Sequence, residues 1–328
     1  MRAVIWTAYG PPEVLQVQRV ERPSPGKNQV LIKIHATTVE TGDCELRRYQ
    51  IHNGLYSLFR PYFGLFKPRL LKVLGQQLSG EIESVGSAVT RFKPGDRVLA
   101  AVMTMGTTCE YLCLDEKDCI VPKPDALSYE EAAALSVGGL NALHFLNQGD
   151  IHPGDRVLIY GSSGTIGTFA VQLAKHFGAE VTAVCSAAKS ELVRGLGADH
   201  LIDYQKEHIG DAPQPFDVIF DTIGKSPYQE SLDVLNPGGI YLLANPTFHQ
   251  QMRSYWTNIT TNKRTTCQLA RYDLDSLHYL THLVVQGALK VVIDRCFRMD
   301  EIVAAHHYVE QGHKSGNVVV TIVEGETD

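Results

Sequence analysis

Short apolar runs broken by glycine and proline open the chain. Residues 3–6 and 30–34 read as strands, and 80–89 as another, with a turn at Gly86. The hexapeptide Pro-Gly-Asp-Arg-Val-Leu occurs at 94–99 and again at 153–158. In each copy proline and glycine make a turn and the apolar run behind them starts a strand. Two copies do not make a repeat architecture. Residues 49–74 carry Tyr56, Phe59, Tyr62, Phe63 and Phe66, interrupted by Pro61, Gly64 and Pro68. This stretch reads as a long loop or lid with short helical pieces, with a membrane-surface anchor as the lesser reading.

From about Pro124 the period changes. A helix is expected over 128–148, with Ser128 as its cap and Glu131 three residues on, the pattern of a capping box. There follow a strand at 156–160, a glycine-rich stretch at 161–167 and a helix at 168–177 closed by Gly178. Next come a strand at 181–185 and a helix at 190–196 closed by Gly197. Strands at 200–202 and 218–220, a helix at 228–235 and a strand at 240–243 complete the series. Strands alternating with helices of this length predict a parallel sheet wound on both faces. Beyond Tyr272 the pattern gives a helix at 275–286, a strand near 290–293, a helix at 300–311 and a last strand at 318–323. This mixed tail is expected to return to the first unit.

A length of 328 residues suggests two domains or one large one. Thirty Lys and Arg against 36 Asp and Glu give a net charge of -6, which argues against a surface that coats nucleic acid. No apolar run is long enough for a membrane span, and no secretion signal is evident at the N-terminus, so a cytoplasmic location is expected. The seven cysteines are an odd number without C-x-x-C spacing, which suits free thiols in a reducing compartment. Cys109 and Cys113 are spaced to share a strand face but lack two further convergent zinc ligands. The adjacent His306 and His307 point differently on a helix and read as surface or interdomain residues.

The sharpest chemical signal is Val157-Leu-Ile-Tyr-Gly161-Ser-Ser-Gly164-Thr-Ile-Gly167, followed by a helix. A glycine turn between a buried strand and a helix start brings backbone N–H groups to a pyrophosphate, where the helix dipole favours anions. The spacing is G-x-x-G-x-x-G, with Ser162 in place of the first glycine of the usual fingerprint, and a purely structural turn is the competing reading. An NAD-preferring site places an acid at the end of the second strand. Here that strand runs into Cys185-Ser186-Ala187-Ala188-Lys189. No carboxylate stands there to repel a 2′-phosphate, while Ser186 and Lys189 are able to bind one. The reading favours NADPH, against the alternative of a solvated lysine at a helix start.

The block GSSGTIGTFAVQLAKHFGAEVTAVCSAAKSELVRGLGADHLIDYQKE resembles the zinc-independent quinone oxidoreductase branch of the medium-chain dehydrogenase/reductase superfamily. So do Val-Glu-Thr-Gly-Asp43, VLGQQLSGEIESVGSAVTRFKPGDRVLA, EEAAALSVGGLNALHFL and the closing SGNVVVTIV, in the same order along nearly the whole chain. The resemblance implies an α/β fold: a GroES-like, β-rich catalytic domain over 1–125 and 270–328, and a Rossmann doubly wound parallel sheet over 126–269. It implies NADPH-linked reduction of quinones or α,β-unsaturated carbonyl compounds, a small-molecule substrate, no nucleic-acid partner, and a homodimer formed at the sheet edge near 240–243.

Carried over by position, the pyrophosphate site comprises Ser162, Ser163, Gly164, Thr165, Ile166 and Gly167. Ser186, Lys189 and Tyr204 fall at the 2′-phosphate. Thr222, Gly224, Ala244 and Asn141 fall toward the nicotinamide. The positions where zinc-dependent relatives hold metal are Glu40, Gln76 and Val137, so no catalytic zinc is expected. The branch usually has Asn at Glu40, an acid at Gln77 and Thr at Asn141. The proton donor stays open among Glu40, Asp43 and Tyr49, with Tyr56 on the expected lid, and Asp43 equally suits a helix cap. The Glu40 replacement keeps a second reading in play, an NADPH-binding sensor or scaffold without turnover. A zinc alcohol dehydrogenase is the weakest reading.

Overall fold

A computed structural model describes residues 1–50, 64, 68, 69 and 72–322. Most of the expected loop at 49–74, Tyr56 included, lies outside them.

Two sheets carry the molecule. β1 (Arg2–Trp6) and β2 (Leu15–Arg19) form a separate antiparallel pair. β3 (Gln29–Thr38) is the long central strand of the first large sheet and leads into α1 (Thr41–Arg48). β4 (Gln77–Val85), β5 (Arg97–Ala101), β6 (Tyr111–Asp115) and β7 (Ile120–Pro122) follow. α2 (Tyr129–Gly149) then crosses to the second sheet. Its start is the expected capping box, with Glu131 N–H donating to Ser128 Oγ and Ser128 N–H to the Glu131 carboxylate.

The second sheet alternates β8 (Arg156–Tyr160), α3 (Thr165–His176), β9 (Glu180–Cys185), α4 (Ser190–Gly195), β10 (His200–Asp203) and β11 (Phe216–Asp221). It continues through α5 (Tyr228–Asp233), β12 (Leu235–Leu243), α6 (Phe248–Thr260) and β13 (Arg264–Thr266). After α7 (Leu274–Val285) the chain returns to the first sheet through β14 (Ile293–Arg298), α8 (Ile302–Glu310) and β15 (Asn317–Thr321). The first sheet is ordered β14-β15-β3-β4-β5-β7, with β6 also on β3. The second is all parallel, in the order β10-β9-β8-β11-β12-β13.

The apolar runs of the second sheet are continuous because both of its faces are covered. Val157, Ile159, Val218 and Phe220 point to the side of α2, α3 and α7. Leu158, Ile219 and Tyr241 point to the side of α5. A third core fills the first sheet between Val30, Ile32, Ile34, Leu78, Ile82 and Val98, closed by Ile302 and Ala305 of α8.

Several expectations shift. α3 starts at Thr165, three residues before the expected helix, because Gly167 lies inside its first turn. The strand expected near 290–293 begins only at Ile293. Lys290 instead gives its backbone N–H and carbonyl to the Gln172 side chain, which ties it to α3. α6 was not anticipated, since its aromatic and β-branched residues favour strand on propensity. Its capping box between Thr247 and Gln250 was nevertheless visible in the sequence. Residues 240–243 lie between β11 and β13, so the sheet edge is β13. His306 is not a surface residue: it is buried on α8 with its Nδ1 3.3 Å from Cys44 Sγ of α1. Burial, then the nearby Arg47 charge, pushes its imidazole down to about 3, so it stays neutral. His307 is half-exposed against Glu13.

Candidate active site

The strand order reverses between β8 and β11, and the crevice beyond their carboxyl ends is where a parallel sheet of this kind binds ligands. The glycine-rich stretch lines it. Gly161 has φ +80°, open to glycine at little cost, and a Cβ there would lie 2.7 Å from Thr222 Oγ1. Gly167 is required for a different reason: its Cβ would stand 2.2 Å from the Gly161 carbonyl oxygen and 2.6 Å from Ser162 Cα. The turn of the loop therefore packs directly on the first turn of α3. Gly164 is the N-cap of α3 and supplies no side-chain cap; it forms a parallel backbone bridge with Gly316.

The expected loop residues divide by direction. Ser162 is buried, and both its hydroxyl, at 3.0 Å, and its N–H, at 3.2 Å, donate to the Val184 carbonyl, so it braces β9. The Ser163 carbonyl accepts from Gly316 N–H at 2.8 Å. Ile166 is half-buried. The Thr165 hydroxyl faces the first sheet, 2.9 Å from Glu40 Oε2 and 3.0 Å from the Gly316 carbonyl.

Across the crevice, the Thr222 hydroxyl donates to the Tyr160 carbonyl at 2.9 Å. Gly224, at φ +70°, approaches so closely that a Cβ would be 2.1 Å from the Asn245 carbonyl. Ala244 N–H donates to the Asp221 carbonyl at 3.0 Å. Asp221 itself is buried and accepts from Ile223, Gly224 and Ser226, which fixes this wall. At the end of β9, Ser186 is half-buried and Tyr204 is exposed, its N–H on the Cys185 carbonyl. Lys189 Nζ donates to the His313 carbonyl at 2.6 Å and to Ser315 Oγ, so it already reaches across to the first sheet's segment.

Glu40 is held where the two sheets meet. Gln77, fully buried, donates to Thr38 Oγ1 at 2.6 Å and to Glu40 Oε1 at 3.2 Å, and accepts from Val137 N–H at 2.7 Å. Asn141, one turn along α2, donates to the Val137 carbonyl at 2.8 Å and to Tyr272 Oη at 3.0 Å. Lys314 Nζ lies 3.7 Å from Glu40 Oε2, donates to the Gly316 carbonyl at 2.7 Å and also contacts Thr165 Oγ1.

Asp43 sits inside α1 as its third residue, with Glu40 before the helix. It accepts from Glu40 N–H at 2.8 Å and Gly75 N–H at 3.1 Å. Tyr49 does not join this group. It ends α1 in the left-handed region at φ 56° and packs edge-on against Tyr9. Lys314 and Tyr272 went unnoticed in the sequence. Lys314 adjoins the closing Ser-Gly-Asn-Val segment, a usable signal, whereas nothing local marks Tyr272. Burial raises the Tyr272 phenol above its usual range, so it holds its proton.

A family model described as the alcohol dehydrogenase GroES-like domain matches residues 26–142, and one described as zinc-binding dehydrogenase matches 196–320. The chain is 33% identical to 2-methylene-furan-3-one reductase of Solanum lycopersicum over 98% of its own length and 79% of that protein. It is 31% identical to the chloroplastic NADPH-dependent alkenal/one oxidoreductase of Arabidopsis thaliana, with 98% and 79% covered. Among solved structures, the quinone oxidoreductase from Coxiella burnetii superimposes with a TM-score of 0.89 at 30% identity, covering 98% of this chain and 99% of that one.

Asp43 gives the site a pH signature. Burial pushes its carboxyl up to about 7 from the ordinary 3.8; the two backbone N–H donors oppose this and the Glu40 charge adds to it. The folded chain therefore binds this proton more tightly than the unfolded one. Its stabilising contribution is complete below pH 3.8 and is lost as pH rises through 7. The gap corresponds to about 4 kcal/mol. Between pH 4 and 8, urea denaturation is expected to show Asp43→Asn gaining on the wild type by that amount, and parallel stability curves would contradict it.

Proposed function

The chain belongs to the medium-chain dehydrogenase/reductase superfamily, in its quinone oxidoreductase branch, and from that footing we propose that it is a zinc-free, NADPH-dependent reductase of quinones or α,β-unsaturated carbonyl compounds. The observation that carries the proposal is the Gly161–Gly167 turn, packed on an uncapped α3 at the point where the sheet order reverses. That cradle fits a dinucleotide: backbone close to backbone, the positive end of a helix dipole without a side-chain cap, and a lysine at the end of β9. The proposal keeps the division into a catalytic domain over 1–125 and 270–328 and a cofactor domain over 126–269.

Bound there, the reduced nicotinamide supplies a hydride. The chain's own part is to hold and to polarise. The Ser163–Gly167 backbone would hold the diphosphate, and Ser186, Lys189 and Tyr204 the adenosine end. Thr222, Gly224 and Ala244 form the wall on the nicotinamide side. Tyr272 Oη accepts from Asn141, which leaves the phenolic proton for another acceptor. A substrate carbonyl oxygen is such an acceptor, and a phenol kept protonated by burial suits the charge that develops on it.

The residues do not fit zinc. Glu40 offers oxygens already engaged by Gln77, Thr165 and Lys314, Gln76 is an amide, and Val137 is apolar. Among the described residues no three His, Cys, Asp or Glu side chains converge. The proposed hydride transfer therefore uses no metal, although one matching family model carries zinc in its description.

All seven cysteines are unpaired, which suits the cytoplasmic location included in the proposal. Among the described residues no helix is long and apolar enough to cross a membrane. The proposed homodimer uses the edge strand β13. Beside it α6 exposes Phe248, Met252, Tyr255, Trp256 and Ile259 along one face.

NADPH is expected to be oxidised on addition of a test quinone or enone, followed by its absorbance. Binding without turnover across a panel of both would leave the sensor reading in place of the enzyme. Lys189→Ala should weaken NADPH binding roughly tenfold while leaving NADH binding nearly unchanged in a fluorescence titration; equal losses would refute the 2′-phosphate assignment. Light scattering should report the mass of two chains, and a single-chain mass at micromolar concentration would remove the dimer.

A further inference from the structure

The Glu40 carboxylate occupies an unusual position. It belongs to the first sheet's unit, at the head of α1, yet its Oε2 sits 2.9 Å from the hydroxyl of the first residue of α3. That helix end carries the positive pole of a twelve-residue helix with no side-chain cap. A carboxylate thus stands beside the first turn of this helix, held through the Thr165 hydroxyl. The only lysine touching this carboxylate among the described residues is Lys314. It is largely buried and tied to Thr165 and the Gly316 carbonyl.

We propose that Glu40 is an internal anion that takes the part of the dinucleotide's diphosphate in the free protein, and that Lys314 is the cation for which the two compete. This rests on the reading of the glycine turn as the dinucleotide site. A diphosphate brought to the start of α3 meets a carboxylate within the same few ångströms, in surroundings where charges are poorly screened. Lys314 is already bonded to Thr165 and reaches either anion with a change of side-chain torsion. Gln77 keeps its bond to Glu40 Oε1, which lets Oε2 turn away from Thr165 without leaving the carboxylate unpaired. The pair therefore sets how tightly the cofactor is held and how readily it leaves.

Calorimetric titration with NADPH, and with 2′-phospho-ADP-ribose, which has the diphosphate but no nicotinamide, tests this without reference to turnover. Glu40→Gln is expected to tighten both ligands by roughly tenfold. A gain in affinity cannot come from a damaged fold, so this variant stands on its own. Lys314→Met should weaken both by a similar factor while Lys314→Arg stays close to the wild type. In the double variant the gain from Glu40→Gln should shrink, because there is no longer a shared cation to release. Unchanged or weaker binding of both ligands by Glu40→Gln, or strictly additive effects of the two substitutions, would overturn the proposal. A wild-type protein that binds neither ligand would instead overturn the proposed function beneath it.

Discussion

One backbone stitch decides the geometry of the cleft. Gly316, just before β15, donates its N–H to the Ser163 carbonyl and accepts at its own carbonyl from Thr165 and Lys314. It thereby joins the last strand of the first sheet to the turn that opens α3 of the second. Its φ of +71° and the 2.4 Å approach of the Val292 carbonyl to a would-be Cβ leave room only for glycine. A second tie runs through α2, whose Val137 N–H is held by Gln77 of β4 while its other faces pack on α3 and α7. With these two ties in place, Glu40, Thr165 and Lys314 have little choice but to meet.

That meeting concentrates charge in a place poor in water. Glu40, Lys314 and Asp43 all lie near the seam, and Asp43 is displaced upward mainly because it is buried. A buried pair such as Glu40–Lys314 brings little net stability, since desolvation offsets its attraction. Its value lies in what happens when a third charge arrives. The same low polarity that makes Asp43 titrate near neutrality makes the exchange of partners at Lys314 count in binding. Asp43 adjoins the same group, since it accepts from the Glu40 backbone N–H.

Legibility in the sequence followed the range of the forces involved. The alternation from 156 to 243 announced the parallel sheet, and Ser128 with Glu131 announced the start of α2, because both are local patterns. The change of pattern beyond Tyr272 announced the returning tail, and the resemblance along the chain agreed with it. What local pattern missed was long-range. Lys290 looked like strand because its partner, the Gln172 side chain, lies more than a hundred residues away. His306 read as surface or interdomain because nothing near it in sequence tells of Cys44. Tyr272 and Lys314 are ordinary residues until the fold sets them beside Asn141 and Glu40. Even Ser162, rightly placed in the turn, gave no sign that its hydroxyl would face inward.

The division between backbone and side chain explains why fold and cofactor class are easier to infer than substrate. The cradle is made of peptide groups brought together by glycines: Gly161, Gly167 and Gly224 each exclude a Cβ by contact with backbone or a fixed hydroxyl. Such a site rests on a few glycines at fixed spacing, which a single sequence displays. The polar seam beside it is built otherwise. Glu40 pairs with Gln77 and Asn141 with Tyr272 side chain to side chain, and the two pairs are joined through the Val137 backbone, so each residue's donor and acceptor capacity constrains the next. Replacing one member re-aims the others. Substrate choice at such a site is a property of the whole network, and no single position in the sequence carries it.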